Sequence, residues 1–192
     1  FKLCYTQIQN SCASGKVIWL VKIPKQTKEM ILGQQMIVVA SVDKNGISNI
    51  SPRTTFTILD DVIYWIELFR HKSLKNFQDN DWVSVATFDK ENLEGFQLKG
   101  KVIMLDDEKK RKNISLRIIN FGHNKLTRLH KERILKQLGT KIPNIASFKP
   151  VIVYSSSPVE AADIPLVIDS DPDIAMLVGG SDAKSNFGFE IS

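Results

Sequence analysis

Apolar and polar positions along the chain change their period several times, and each change marks an element. Residues 1–23 hold no clear period and read as an N-terminal extension. Pro24, a residue suited to a first helical turn, and Gly33, suited to a C-cap, bracket a short helix over Lys25 to Leu32. Met36 to Val42 is β-branched and apolar on both faces, which predicts a strand covered on both sides. Asp43-Lys44-Asn45-Gly46 then predicts a tight hairpin, since Asn-Gly tolerates the positive φ that such a reversal demands. The returning strand, Ile47 to Leu59, alternates. Ile50, Pro52, Phe56 and Ile58 fall on one face, and Asn49, Ser51, Arg53, Thr55 and Thr57 on the other. A polar row inside an apolar sheet calls for water, a ligand or a partner chain.

Asp60-Asp61 turns the chain into a further strand, Val62 to Phe69, apolar on both faces except at Glu67. A short helix over Ser73 to Asp79, a strand from Trp82 to Phe88 and a strand from Gly95 to Leu105 follow. Residues 108–141 space Leu126, Leu129, Ile134, Leu135 and Leu138 as a helix does, and Pro150 to Ser155 is the sixth strand. Beyond it, Pro158, Pro165 and Pro172 oppose a helix or a central strand, so 159–192 reads as an extended arm. Short strands joined by tight turns predict a mainly β fold, a closed antiparallel barrel with helices over residues 24–158. The two strands apolar on both faces need cover outside the barrel, and a second copy of the chain is the expected source.

Composition adds little, but charge distribution does. At 43% hydrophobic and 24% charged residues the chain resembles an ordinary globular protein. Its longest apolar run is far short of the roughly 20 residues of a membrane span, and no signal peptide is apparent. Cys4 and Cys12 are too few for a disulfide framework and read as free thiols in the cytoplasm. Of the net charge of +5, a surplus sits in 108–141, where eleven Lys/Arg face two acids. The arm at 159–192 carries seven acids and one Lys. The basic segment reads as a solvated face answered by the arm, or as a polyanion-binding module. For nucleic acid it lacks interleaved aromatics, Phe121 being the only one, so no nucleic-acid partner is expected.

The sharpest candidate chemistry is Arg70-His71-Lys72-Ser73 at a helix start. Unpaired backbone N–H groups, a lysine and a hydroxyl there make a phosphate site, which Arg53 could also reach. The same residues are also consistent with a serine N-cap among solvated basic neighbours. No metal-ligand spacing surrounds His71, His123 or His130, and no P-loop, G-x-G-x-x-G or G-x-S-x-G occurs, so no catalytic side chain and no metal are assigned.

Three runs in order carry a resemblance. Met36 to Gly46 with Asn49 to Arg53, then His71 to Phe77 with Asn80 to Val85, then Leu93 to Gly100, resemble the flavin-nucleotide-binding branch of the pyridoxamine 5′-phosphate oxidase-like, FMN-binding split barrels. The resemblance spans about residues 24 to 106. It implies a six-stranded antiparallel split barrel and a homodimer with FMN at the subunit interface. It further implies an FMN-dependent oxidoreductase acting on a small molecule. A storage protein for FMN, or a reductase using a deazaflavin coenzyme, are the alternatives within that family. By position, His71, Lys72 and Ser73 match the phosphate-binding residues. Arg53, Thr54 and Thr55 match the strand along the ribityl chain and phosphate, Ile66 and Glu67 the strand beside the ring, and Gln97 and Lys99 the strand near it. Each has a plain structural alternative: Thr54 as a core residue, Glu67 as the partner of a lysine across the dimer, Lys99 as an exposed strand residue. True pyridoxamine phosphate oxidases end in Arg-Leu-x-Pro, which grips the substrate. The C-terminal residues here, Asn186 to Ser192, contain no arginine, so vitamin oxidation is not expected.

Overall fold

The computed structural model describes residues 21–67, 72–121, 132, 135–136, 139, 141–156 and 165–168. Helix α1 (Lys25–Gln34) precedes strands β1 (Ile37–Val42), β2 (Ser48–Arg53), β3 (Phe56–Leu59) and β4 (Val62–Glu67). Helix α2 (Lys72–Asp79), β5 (Trp82–Asp89), β6 (Glu94–Met104), α3 (Glu108–Phe121), β7 (Asn144–Ser155) and β8 (Pro165–Ile168) complete the order. The fold is mainly β, as expected, but the strand count differs. The single strand expected over Ile47 to Leu59 divides at Thr54–Thr55 into β2 and β3, giving seven strands along the sheet path rather than six.

That division closes the barrel. All described pairings are antiparallel, and the order is β2-β1-β5-β6-β7-β4-β3, with β8 beside β7. Laid flat, six gaps of roughly 4.8 Å would hold the two margins about 29 Å apart. Yet β2 and β3 are consecutive, and the three Cα steps from Arg53 to Phe56 reach at most about 11 Å. The sheet therefore curls until its margins meet, leaving a split between them. The Ile66 N–H donates to the Thr55 carbonyl at 3.0 Å, one position beyond the β3–β4 ladder.

Local chemistry sets the turns. Asp43 Oδ1 accepts the N–H groups of Asn45 (2.8 Å) and Ile47 (2.9 Å), and Gly46 takes φ of 82°. Asp60 and Asp61 both adopt positive φ, as a two-residue reversal between β3 and β4 requires. Asp61 then binds the Ile23 N–H at 2.9 Å and pairs with Lys28, which lashes the start of α1 to this hairpin. Between β5 and β6, the Glu91 N–H and then the Asn92 side chain bond to Asp89 and hold its carboxyl below the usual range. Helix α1 runs two residues past the expected stop, and Gln35 rather than Gly33 takes the left-handed cap. Among the described residues, no helix is long and apolar enough to cross a membrane.

The barrel interior is filled by Ile37, Val39, Ile63, Trp65, Val85, Leu98 and Phe148, with Phe77 of α2 at one end. Outside, α3 lays Ile114 and Ile118 on Tyr64, Ile66 and Ile145. The outer face of β4, expected to need a second copy, is thus covered by the chain's own helix. The helix expected across 108–141 is described as α3 over its first fourteen residues; most of the rest lies outside the described residues. Of the arm expected over 159–192, only β8 is described, and it is an edge strand paired with Ile152 to Tyr154.

Candidate functional site

The polar row of β2 is answered from within the chain. Asn49, Ser51 and Arg53 lie opposite Ser41, Val39 and Ile37 of β1, so they project to the inner side of the sheet. There α2 docks across β1 and β2. Ser73, 3% exposed, accepts Asn49 Nδ2 at 3.0 Å and shares a hydrogen bond with Ser51 Oγ at 3.2 Å. One turn on, Asn76 Nδ2 donates to Ser41 Oγ at 3.1 Å. Phe77 sets its ring edge against Trp65, centroids 6.1 Å apart. The start of α2 is therefore pinned at the barrel's end by hydroxyls and amides, with Lys72 exposed on its first turn.

Arg53 is held at the same corner. Its Nη2 lies 2.8 Å and its Nε 3.1 Å from Glu67 Oε1, which also accepts Trp65 Nε1 at 2.7 Å. Nη1 donates to the Pro52 carbonyl at 3.1 Å. The side chains are 14% and 4% exposed, a nearly buried pair that ties the end of β2 to the end of β4. Among the described residues, three of the five guanidinium N–H groups are bonded. The partner of Glu67 is thus an arginine of its own chain, not a lysine across an interface.

The expected site residues fall into two groups. Arg53, Glu67, Lys72 and Ser73 lie around the end of β2: Arg53 pairs with Glu67 of β4, and Ser73 bonds Ser51, two residues before Arg53, with Lys72 exposed beside it on α2. Thr54 is half-buried and Thr55 buried at the division between β2 and β3. The side chain of Ile66 lies beneath α3, and its N–H is committed to Thr55, so it does not face the corner. His71 lies outside the described residues. Gln97 and Lys99 are elsewhere. They alternate with the buried Phe96 and Leu98, so they project from the outer face of β6, three strands from β2. Lys99 Nζ rests 4.9 Å from the centre of the Tyr154 ring. One copy of the chain cannot bring these two to Lys72.

Sequence reasoning placed Asn49 and Ser51 in the polar row but did not make them the seat of α2. It missed Asn76, Ser41 and the indole of Trp65. Asn76 could have been found from its spacing of three from Ser73, which puts both on one helix face. Trp65 gave no such signal, because its N–H meets Glu67 only after β4 takes its pleat. Among the described residues, no cluster of His, Cys, Asp or Glu is placed to hold a metal ion.

A curled antiparallel sheet, split between β2 and β3 and plugged by a polar-capped helix, defines the split-barrel class. A family model described as pyridoxamine 5′-phosphate oxidase matches residues 23–137, more than half of the chain, and the chain belongs to that family. Solved structures agree on the fold. HupZ of Group A Streptococcus superposes with a TM-score of 0.54 at 17% identity, covering 71% of this chain and 95% of that one. A protein related to general stress protein 26, from Clostridium acetobutylicum, gives a TM-score of 0.56 at 11% identity, with 70% and 88% covered. A NimC/NimA family protein from the same organism gives 0.52 at 15% identity, with 70% and 88% covered. A search of the curated proteins finds no match.

Proposed function

We propose that this chain is an FMN-binding oxidoreductase that works as a homodimer on a small-molecule substrate. The observation that carries the reading is the corner built by Lys72, Ser73 and Arg53. It sets a helix N-terminus and an exposed ammonium near a guanidinium that, among the described residues, bonds through three of its five N–H groups, the donor set that suits a phosphate monoester. Family membership supports the flavin as the bearer of that phosphate. FMN, when bound, supplies hydride or electron transfer by its own chemistry; the protein contributes binding, orientation and access. No side chain need then act as an obligatory acid or base.

A second copy is integral to the reading, because Gln97 and Lys99 face away from the corner. The outer face that bears them continues across β5 and β1. Its rows are Gln97–Ala86–Val38–Pro52 and Lys99–Ser84–Ala40–Ile50, ending on an Ile50 that is 68% exposed. Small side chains in the middle, Ala86, Val38, Ser84 and Ala40, leave a low floor on which another copy can sit. That docking brings one copy's Gln97 and Lys99 towards the other's Lys72. The test is the absorption spectrum after incubation with FMN and desalting. Flavin bands in wild type, lost in Lys72→Ala, support the reading; a colourless wild-type protein refutes it.

A further inference from the structure

The outer face of β5, β6 and β7 carries a second concentration of cations, on the side of the sheet away from Ser73. Strand register sets Trp82, Lys101 and Lys149 in one row across three strands, with Ser84, Lys99 and Ile152 in the next. Lys101 and Lys149 stand directly opposite each other, an arrangement that destabilises a sheet when nothing lies between the charges. Gly100 lets the strands approach there. A Cβ at that position would collide with the carbonyl of Lys149, where the ladder between β6 and β7 shifts register. Among the described residues, Asp81, 3.2 Å from Lys101 Nζ, is the carboxylate that pairs with this group.

Beside the cations lies an apolar floor of Val151 and Ile152, with Trp82 and Tyr154 packed on it. Lys101 Nζ rests 5.6 Å from the Trp82 ring centre, as Lys99 rests on Tyr154. At such half-exposed sites a cation over a ring is held more weakly than by a charge-assisted hydrogen bond to an oxyanion. An anion with two adjacent charges adds to the single Asp81 carboxylate in neutralising Lys101 and Lys149, draws Lys101 off Trp82 and uncovers the indole. The ligand that uses both gains has a flat ring next to a diphosphate.

We infer that this face binds a nucleoside diphosphate, with the diphosphate between Lys101 and Lys149 and the base against Trp82, since aromatic side chains stack on any base. The site borders the proposed dimer floor at the Ser84–Lys99 row, and the inference goes beyond the flavin reading without depending on it. ADP, inorganic pyrophosphate and adenosine are titrated calorimetrically into the full, FMN-free chain and into the Lys149→Gln and Lys72→Ala variants. Saturable ADP binding that weakens about tenfold or more in Lys149→Gln, and stays within about twofold in Lys72→Ala, is the expected result. ADP should also bind more tightly than either pyrophosphate or adenosine. Absence of saturation at millimolar ADP overturns the inference. Equal binding by wild type and Lys149→Gln does the same, and pyrophosphate matching ADP removes the base contact. Loss in Lys72→Ala alone places ADP at the flavin corner and overturns the inference while leaving the flavin reading intact.

Discussion

Arg53 and Glu67 join the end of β2, one margin of the sheet, to the end of β4, the strand next to the other margin, through two hydrogen bonds of 2.8 and 3.1 Å to a single carboxylate oxygen. That oxygen also takes the indole N–H of Trp65, whose ring touches Phe77 of α2. The pair thus connects the barrel seam to the helix that carries Lys72. Glu67→Ala leaves a guanidinium and an indole donor without their acceptor in a site only 4% exposed at the carboxylate. Breaking a buried pair from one side costs about 3–5 kcal/mol. Glu67→Gln keeps an amide oxygen and should cost nearer 1.5–3 kcal/mol, roughly the value of a hydrogen bond to a charged group. Urea denaturation checks both. Tolerance of Ala to within about 0.5 kcal/mol, the range of ordinary surface changes, would mean that the seam does not rely on this pair.

Lys72→Ala should weaken FMN binding by about 1.5–3 kcal/mol, the worth of a charge-assisted contact, which is roughly 10- to 150-fold in affinity. Lys99→Ala should matter less, because its ammonium lies over Tyr154 on the outer face of β6. Fluorescence titration of FMN into the two variants gives the comparison. Equal affinities for Lys72→Ala and wild type would dismiss the phosphate assignment.

The sequence made the sheet legible wherever a period or a turn was local. The hairpin at Asp43 to Gly46, the reversal at Asp60-Asp61 and the alternation Asn49/Ser51/Arg53 are all short-range patterns, and the structure keeps them. What did not show was what answers each face. The polar row of β2 called for a ligand, water or a partner. It meets Ser73 and Glu67, which lie 22 and 14 residues on and arrive only when α2 and β4 fold back. The same holds for Tyr64 and Ile66, whose cover is α3 and not a second copy. The division at Thr54–Thr55 shows in the sequence only as one polar residue, Thr54, on the apolar side of the alternation; the turn there swaps the faces, so that Phe56 enters the interior while Ile50, expected on the same face, points outward.

Gly100→Ala tests the tightest point of the sheet. The added methyl would sit 2.1 Å from the Lys149 carbonyl oxygen and 2.8 Å from the Pro150 Cα, both backbone atoms that no rotamer change can move aside. Overpacking of this kind costs about 1–3 kcal/mol and occasionally more. We expect the top of that range, a fall in melting temperature of roughly 6–12 °C for a domain of this size. Gly33→Ala, where a methyl meets nothing within 4 Å, is the control and should be neutral or slightly stabilising. Similar melting temperatures for the two variants would show that β6 and β7 do not approach so closely.

The dimer we propose would use the outer face of β2, β1 and β5, where Ile50 is 68% and Phe88 54% exposed while Val38, Ala40 and Ala86 are half-buried. α3 already covers β4, so the apolar demand of the outer surface falls on this face alone among those two strands expected to need cover. A specific association here should bury at least about 1,000 Å² in total. Ile50→Lys places an ammonium at the exposed apolar end of that floor. In the isolated subunit the side chain is mostly solvated, so the fold should hold within about 0.5 kcal/mol, as surface substitutions do. In the dimer the charge must be desolvated without a partner, which costs several kcal/mol per copy and should shift the mass by light scattering from two chains to one. Flavin retention should fall with it, because the corner at Lys72 then loses the Gln97 and Lys99 of the other copy. A variant that remains dimeric and yellow would place the interface elsewhere; one that becomes monomeric yet keeps its flavin would show that a single copy holds the cofactor unaided.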